Sequence, residues 1–150
     1  MIAQDALPLL VVEDSEEDYV ALRWALRKIG VDRPVRRCVS GAELLDYLRR
    51  AAASAADAPA PALILLDLNL GADDGRDVLE ALKADASVRH IPVVVWTTSA
   101  HPEDVAHCYA HGASGYATKP VDVGQLVESL RSVTRYWFGC VILPEAHVGG

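Results

Sequence analysis

Apolar residues along this chain follow two rhythms. Short unbroken runs, Leu9-Leu10-Val11-Val12, Leu63-Ile64-Leu65-Leu66 and Val93-Val94-Val95-Trp96, have the pattern of parallel strands covered on both faces, which read as continuously hydrophobic rather than alternating. Val35 to Val39 and Tyr116-Ala117-Thr118 are weaker runs of the same kind. Between the runs, apolar residues recur at helical spacing. Tyr19, Leu22, Leu26 and Ile29 define a helix that starts at Asp14-Ser15 and ends at Gly30, a residue suited to a helix C-cap. Ser40 caps a second helix, Ala42 to about Ala53, with Leu44, Leu45 and Leu48 as its stripe. A third runs from Gly75 to about Asp85, a fourth carries Pro102 in its first turn, and Leu126, Val127, Leu130, Val133, Thr134 and Trp137 line the last. Five β–α units without an internal repeat predict a doubly wound α/β fold.

The polar residues that carry chemistry stand where these runs end. Glu13 and Asp14 follow the first run, Asp67 the third, Thr97 the fourth and Lys119 the last. Ligands of open α/β sheets bind beyond the strand carboxyl ends, so five separate segments converge on one edge. Three acids, a hydroxyl and an ammonium describe a divalent cation together with a phosphoryl group. Asp67 fits a nucleophile, which needs its own charge and a cation on the phosphoryl oxygens. Magnesium prefers about six hard oxygens, several of them water. Asp14 and Asp67 supply carboxylates, Glu13 holds a metal-bound water, and the backbone carbonyl of Asn69 completes the set. Lys119 serves as a point charge and Thr97 as a hydrogen-bond donor to the phosphoryl oxygens. Each residue also has an ordinary explanation: Glu13-Asp14 as a helix cap, Thr97 as a strand threonine, Lys119 as a solvated loop charge. Those explanations leave the shared position at strand ends unaccounted for.

Composition narrows the classes. With 150 residues the chain is large enough for one domain, and no apolar run reaches the ~18 residues of a membrane span. The amino terminus lacks a secretory core. Three cysteines, Cys38, Cys108 and Cys140, form no C-x-x-C pair, as expected of a reduced, cytoplasmic protein. A net charge of −7 argues against a nucleic-acid partner.

Val-Val-Glu-Asp-Ser (11–15), Leu-Leu-Asp-Leu-Asn-Leu (65–70) with Asp74-Gly75, Ile-Pro-Val-Val-Val-Trp-Thr-Thr-Ser (91–99) and Gly-Tyr-Ala-Thr-Lys-Pro (115–120) resemble the receiver domain of two-component response regulators. Thr97 lies 30 residues and Lys119 lies 52 residues after Asp67, the chemotaxis-type spacing. The resemblance covers about residues 8 to 135. It implies a flavodoxin-like five-stranded parallel sheet of order 2-1-3-4-5, phosphorylation of Asp67 by a histidine kinase, Mg2+ held by Glu13, Asp14, Asp67 and the Asn69 carbonyl, and a Thr97–Tyr116 switch. It also implies a cis peptide at Lys119-Pro120. Gly71 departs from the proline usual in the family.

Tyr136-Trp137-Phe138 and Val141-Ile142-Leu143-Pro144 are similar to the ends of stand-alone receivers paired with bacterial phytochromes. The resemblance therefore implies a phytochrome-type kinase as partner, with an unknown downstream target or phosphotransfer protein. Residues 1–135 form the expected receiver domain and 136–150 an apolar tail that joins two chains into a homodimer through Tyr136, Trp137, Phe138, Val141 and Leu143. Two other classes compete. A haloacid dehalogenase-type phosphatase also uses an aspartate and magnesium, but its general acid two residues on is here Asn69, and its nucleophile follows the first strand. A degenerate receiver acting only as a binding module would not need all five polar groups. Finally, Asp104, His107 and His111 share a helix face. With no third strong ligand beyond Asp104, that face reads as solvated or partner-facing rather than as a zinc site.

Overall fold

The computed structural model describes residues 7–144. Five strands, β1 (Leu9–Val12), β2 (Val35–Cys38), β3 (Leu63–Leu66), β4 (Val93–Thr97) and β5 (Gly115–Thr118), alternate with five helices, α1 (Glu16–Ile29), α2 (Gly41–Ala52), α3 (Gly75–Ala84), α4 (Pro102–Ala110) and α5 (Val123–Gly139). All neighbouring strands pair in parallel, in the order β2-β1-β3-β4-β5. The expected flavodoxin-like receiver topology is therefore present.

Alternation within each apolar run divides the side chains between two cores. Leu10, Val12, Ile64, Leu66, Val93 and Val95 meet Leu44 and Leu48 of α2, Val78, Leu79 and Leu82 of α3, and Cys108 of α4. Their neighbours Leu9, Val11, Leu63, Leu65, Val94 and Trp96 meet α1 and α5 through Leu22, Leu26, Leu126, Val127 and Leu130. Successive strand residues point to opposite faces, which is why a run with no polar position is required here. Truncating one of these fully buried leucines to alanine costs about 2–5 kcal/mol.

Side-chain caps start α1 and α2 where the sequence pattern places them, and α5 has one as well. Ser15 accepts from the Asp18 amide (3.2 Å), Ser40 from Glu43 (3.1 Å) and Asp122 from Gln125 (2.9 Å). The last helix runs to Gly139 and includes Trp137 as its stripe predicts, so Tyr136, Trp137 and Phe138, placed in the tail by the division at 135/136, form its final turns. The reason is continuity of the stripe: Val133, Trp137 and Phe138 pack on the α1/α5 core, and the Arg33 guanidinium lies 4.1 Å from the centre of the Phe138 ring. Beyond the helix, Leu143 is only 5% exposed within the single chain, whereas Ile142 is 92% exposed. Residues 145–150 of the expected tail lie outside the described residues.

Candidate site at the carboxyl edge of the sheet

The ends of β1, β3, β4 and β5 bring Glu13, Asp14, Asp67, Thr97 and Lys119 to one edge, as expected. Carboxylate oxygens of Glu13, Asp14 and Asp67 lie within 4.8 Å of one another. Glu13 and Asp67 are buried, at 4% and 6% exposure, while Asp14 is open to solvent. Asp67 is held from two sides: Oδ1 accepts from the Asn69 amide (3.1 Å) and Oδ2 from Lys119 Nζ (2.7 Å). Lys119 also donates to Asp18 Oδ2 (3.0 Å) and to Glu13 Oε1. Its own amide donates to the Thr97 carbonyl (2.7 Å), which fixes the loop after β5 against β4.

Charge explains the protonation of this edge. Burial raises the Glu13 carboxyl above its ordinary range, against the opposing pull of the Lys119 hydrogen bond. Burial would lower the Lys119 ammonium, but its hydrogen bonds to Asp67 and Glu13 prevail and hold it above the usual lysine range. The ammonium form is thus favoured by its partners. Thr97 is fully buried, and its Oγ1 has no hydrogen-bond partner among the described residues. A buried hydroxyl left unpaired costs about 1–3 kcal/mol.

Two glycines shape the loop after β3. Gly71 has φ +68°, a left-handed value closed to proline, whose ring sets φ near −65°, so the loop takes a path here that the family's usual residue could not follow. A Cβ on Gly75 would sit 2.3 Å from the Asp67 carbonyl oxygen, so α3 approaches the site only through glycine.

Three clustered carboxylates, one open to water, form a hard-oxygen set that fits a divalent cation. Asn69 is exposed at the rim, with its amide turned to Asp67.

A polar chain leads away from this edge. The Tyr116 hydroxyl donates to the Ser99 carbonyl (2.9 Å), the Ser99 hydroxyl to Asp104 Oδ2 (2.5 Å), and Arg76 Nε to Asp104 Oδ1 (2.7 Å). Arg76 also reaches Asp74 (2.9 Å), the cap of α3. Both Asp104 carboxylate oxygens are therefore committed to this chain. Arg76 and the Asp18 contact to Lys119 were not anticipated, because their partners are 28 and 101 residues distant in sequence. The Lys119–Pro120 peptide is another correction. It is trans, as are all peptide bonds among the described residues; trans is favoured for X–Pro by about 0.5–1 kcal/mol unless surroundings select cis.

The Arg76 hydrogen bond, aided by Ser99, lowers the Asp104 carboxyl from 3.8 to about 2. A depressed folded-state pKa contributes stability that is present above 3.8 and lost as pH falls towards 2. Asp104→Asn is therefore expected to lower stability at pH 7 by on the order of 1 kcal/mol. Urea titrations should show the gap narrowing as pH falls below 3.8, and a gap independent of pH would refute the pairing.

A doubly wound sheet with an acidic triad, an unpaired threonine hydroxyl and a lysine at its carboxyl edge defines the receiver class. Residues 9–131 match the response regulator receiver domain, and the chain belongs to that family. Response regulator Rcp1 of Synechocystis is 33% identical over 138 residues, covering 92% of this chain and 93% of Rcp1. The phosphorylated cyanobacterial phytochrome response regulator RcpA superposes with a TM-score of 0.85 at 35% identity, covering 93% of this chain and 99% of RcpA. The Mn2+-bound form of Rcp1 gives 0.83 at 32% identity, covering 93% of this chain and 99% of that one. Proteins of this family are signalling proteins, and this chain is a response regulator related to phytochrome response regulators.

Proposed function

We propose that Asp67 is the phosphoacceptor, that a phytochrome-type histidine kinase is the donor, and that the output is a protein–protein contact made in the cytoplasm. The observation that carries this reading is the unpaired, fully buried Thr97 hydroxyl at the same strand edge as the Asp67–Lys119 pair. An Asp67 carboxylate oxygen attacks phosphorus, the P–N bond to the kinase histidine breaks, and the imidazole leaves with its electron pair and takes up a proton. Lys119 turns from the carboxylates to a phosphoryl oxygen, and Thr97 gains the acceptor it lacks. Glu13, Asp14, Asp67 and the Asn69 carbonyl would hold Mg2+, which neutralises phosphoryl oxygens when bound. Rcp1 in its Mn2+-bound form supports a divalent ion here, and the phosphorylated phytochrome response regulator RcpA supports the kinase class. Asn69 cannot supply the general acid that a phosphatase needs, so the phosphoryl group persists for signalling. Acetyl phosphate with Mg2+ should add one phosphoryl group per chain by intact mass. Continuous turnover would instead mark a phosphatase, and no gain a binding module.

Thr97 and Tyr116 act as the switch in this reading. Motion of the Thr97 hydroxyl towards a phosphoryl oxygen disturbs neighbouring Trp96, and the Tyr116 bond to the Ser99 carbonyl is exchanged for another position of the ring. Beryllofluoride with Mg2+ should change the Trp96 fluorescence in wild type and leave Thr97→Ala unchanged; equal responses would remove the mechanism.

The carboxyl-terminal surface supports a homodimer. Tyr136 and Ile142 are exposed, and Trp137, Phe138 and Val141 are partly so, although Leu143 is already covered by its own chain. An apolar ridge of this kind suits an isologous contact. Ile142→Glu should convert a dimer to a monomer by light scattering, and a wild-type monomer at tens of micromolar or an unaffected variant dimer would exclude it.

A further inference from the structure

Glu80 on α3 meets His107 and His111 on α4, away from the carboxyl edge. Its Oε1 lies 3.1 Å from His107 Nε2 and 3.2 Å from His111 Nε2, and the three atoms fall within 4.8 Å of one another. We propose that these residues form a transition-metal site, suited to Zn2+, that clamps α4 to α3.

Zinc bonds of ~2.0–2.1 Å in tetrahedral geometry separate neighbouring ligand atoms by roughly 3.3 Å. Both nitrogen–oxygen separations are close to that edge length.

His111 Nδ1 lies 2.8 Å from the His107 carbonyl oxygen. A carbonyl only accepts, so Nδ1 carries the hydrogen, and in the neutral imidazole Nε2 presents its lone pair to Glu80. Donation of the second nitrogen to a backbone carbonyl is how histidine ligands of metals are oriented. His107 Nε2 is buried and lacks a hydrogen bond among the described residues, for its 3.1 Å approach to Glu80 is not in hydrogen-bonding geometry. With His107 also in its Nδ1–H tautomer, two imidazole lone pairs and one carboxylate oxygen converge on a single point, a set that a shared cation holds together, and the two rings lie with centroids 4.2 Å apart at 30°.

Donor type separates this cluster from the acid pocket. Two imidazoles and a carboxylate suit zinc, whereas an all-oxygen set suits magnesium. Glu80, His107 and His111 are each between a third and a half exposed, which leaves the fourth coordination position to water. The mechanical effect follows from the packing of α4, whose sole buried residue is Cys108. A metal adds a second anchor to a helix whose first turn, through Asp104, is bonded to the Ser99–Tyr116 chain.

Calorimetric titration of the full chain with Zn2+, at neutral pH and in excess Mg2+ to occupy the acid pocket, should reveal one chelator-reversible equivalent and a higher unfolding temperature. His111→Gln and Glu80→Gln, both at partly exposed positions and checked for folding by circular dichroism, should weaken Zn2+ more than about 100-fold, since even an outer-shell partner is worth ~10–100-fold. Asp67→Asn should bind Zn2+ as wild type does. Absence of saturable binding, equal affinity in the folded His111→Gln and Glu80→Gln variants, or loss of binding in Asp67→Asn would each overturn the proposal.

Discussion

Asp67→Asn is expected to gain no phosphoryl group from acetyl phosphate under conditions that label the wild type. An amide of nearly the same shape has no charge to attack phosphorus, and no other carboxylate stands in its place. Glu13 has Lys119 and the Ser15 amide on its two oxygens, and Asp14 faces solvent. The fold should survive. The substitution weakens the charged bond from Lys119 to Oδ2 but removes one of three neighbouring negative charges, so the two effects oppose and the net change stays within about 1 kcal/mol. Intact mass and a urea titration together check both halves. A variant labelled to the wild-type extent would move the phosphoacceptor elsewhere.

The strand edge was readable from sequence because parallel, doubly covered strands admit no polar residue until they end. Glu13, Asp67 and Thr97 are the first polar side chains after long apolar runs, and backbone geometry then forces them together. Two helix starts were readable for a related reason, since Ser15 and Ser40 cap helices through local bonds that span three residues. What escaped depends on distant partners. Nothing local to Arg76 points to Asp104, and nothing local to Glu80 points to His107 and His111. Glu80 reads as an ordinary charge on the solvent face of α3 until the packing of α3 against α4 supplies its neighbours. The end of α5 was legible in part: Trp137 already falls on the helical stripe, whereas a count from a receiver's usual length puts Tyr136 and Phe138 with a tail, and in the structure Phe138 joins Trp137 on an existing core.

Lys119→Met should reveal how much of the site's stability rests on one cation. The ammonium is 10% exposed and touches two side chains of 5% and 7% exposure, those of Glu13 and Asp67. Removing one partner of a buried ion pair costs about 3–5 kcal/mol, and access of water through Asp14 and Asp18 places the expected loss at the lower end. The sign of its pH dependence follows from Glu13. Burial already raises that carboxyl, and Lys119 is the group that opposes the rise; without it Glu13 rises further. An acid with a raised folded-state pKa costs stability as pH climbs from its unfolded value through its folded one. The variant is therefore expected to be destabilised most at neutral pH and progressively less as pH falls and Glu13 takes up a proton. Millimolar Mg2+ should restore part of the loss at pH 7, because a cation among Glu13, Asp14 and Asp67 replaces the missing charge. Phosphoryl transfer should slow roughly 10- to 100-fold, the rate equivalent of one charge-assisted hydrogen bond of about 1.5–3 kcal/mol. Urea titrations at neutral and acid pH with and without Mg2+, alongside time-resolved mass measurement of phosphorylation, test each part. Wild-type stability at pH 7 together with indifference to Mg2+ would show that Lys119 does not neutralise the buried acids.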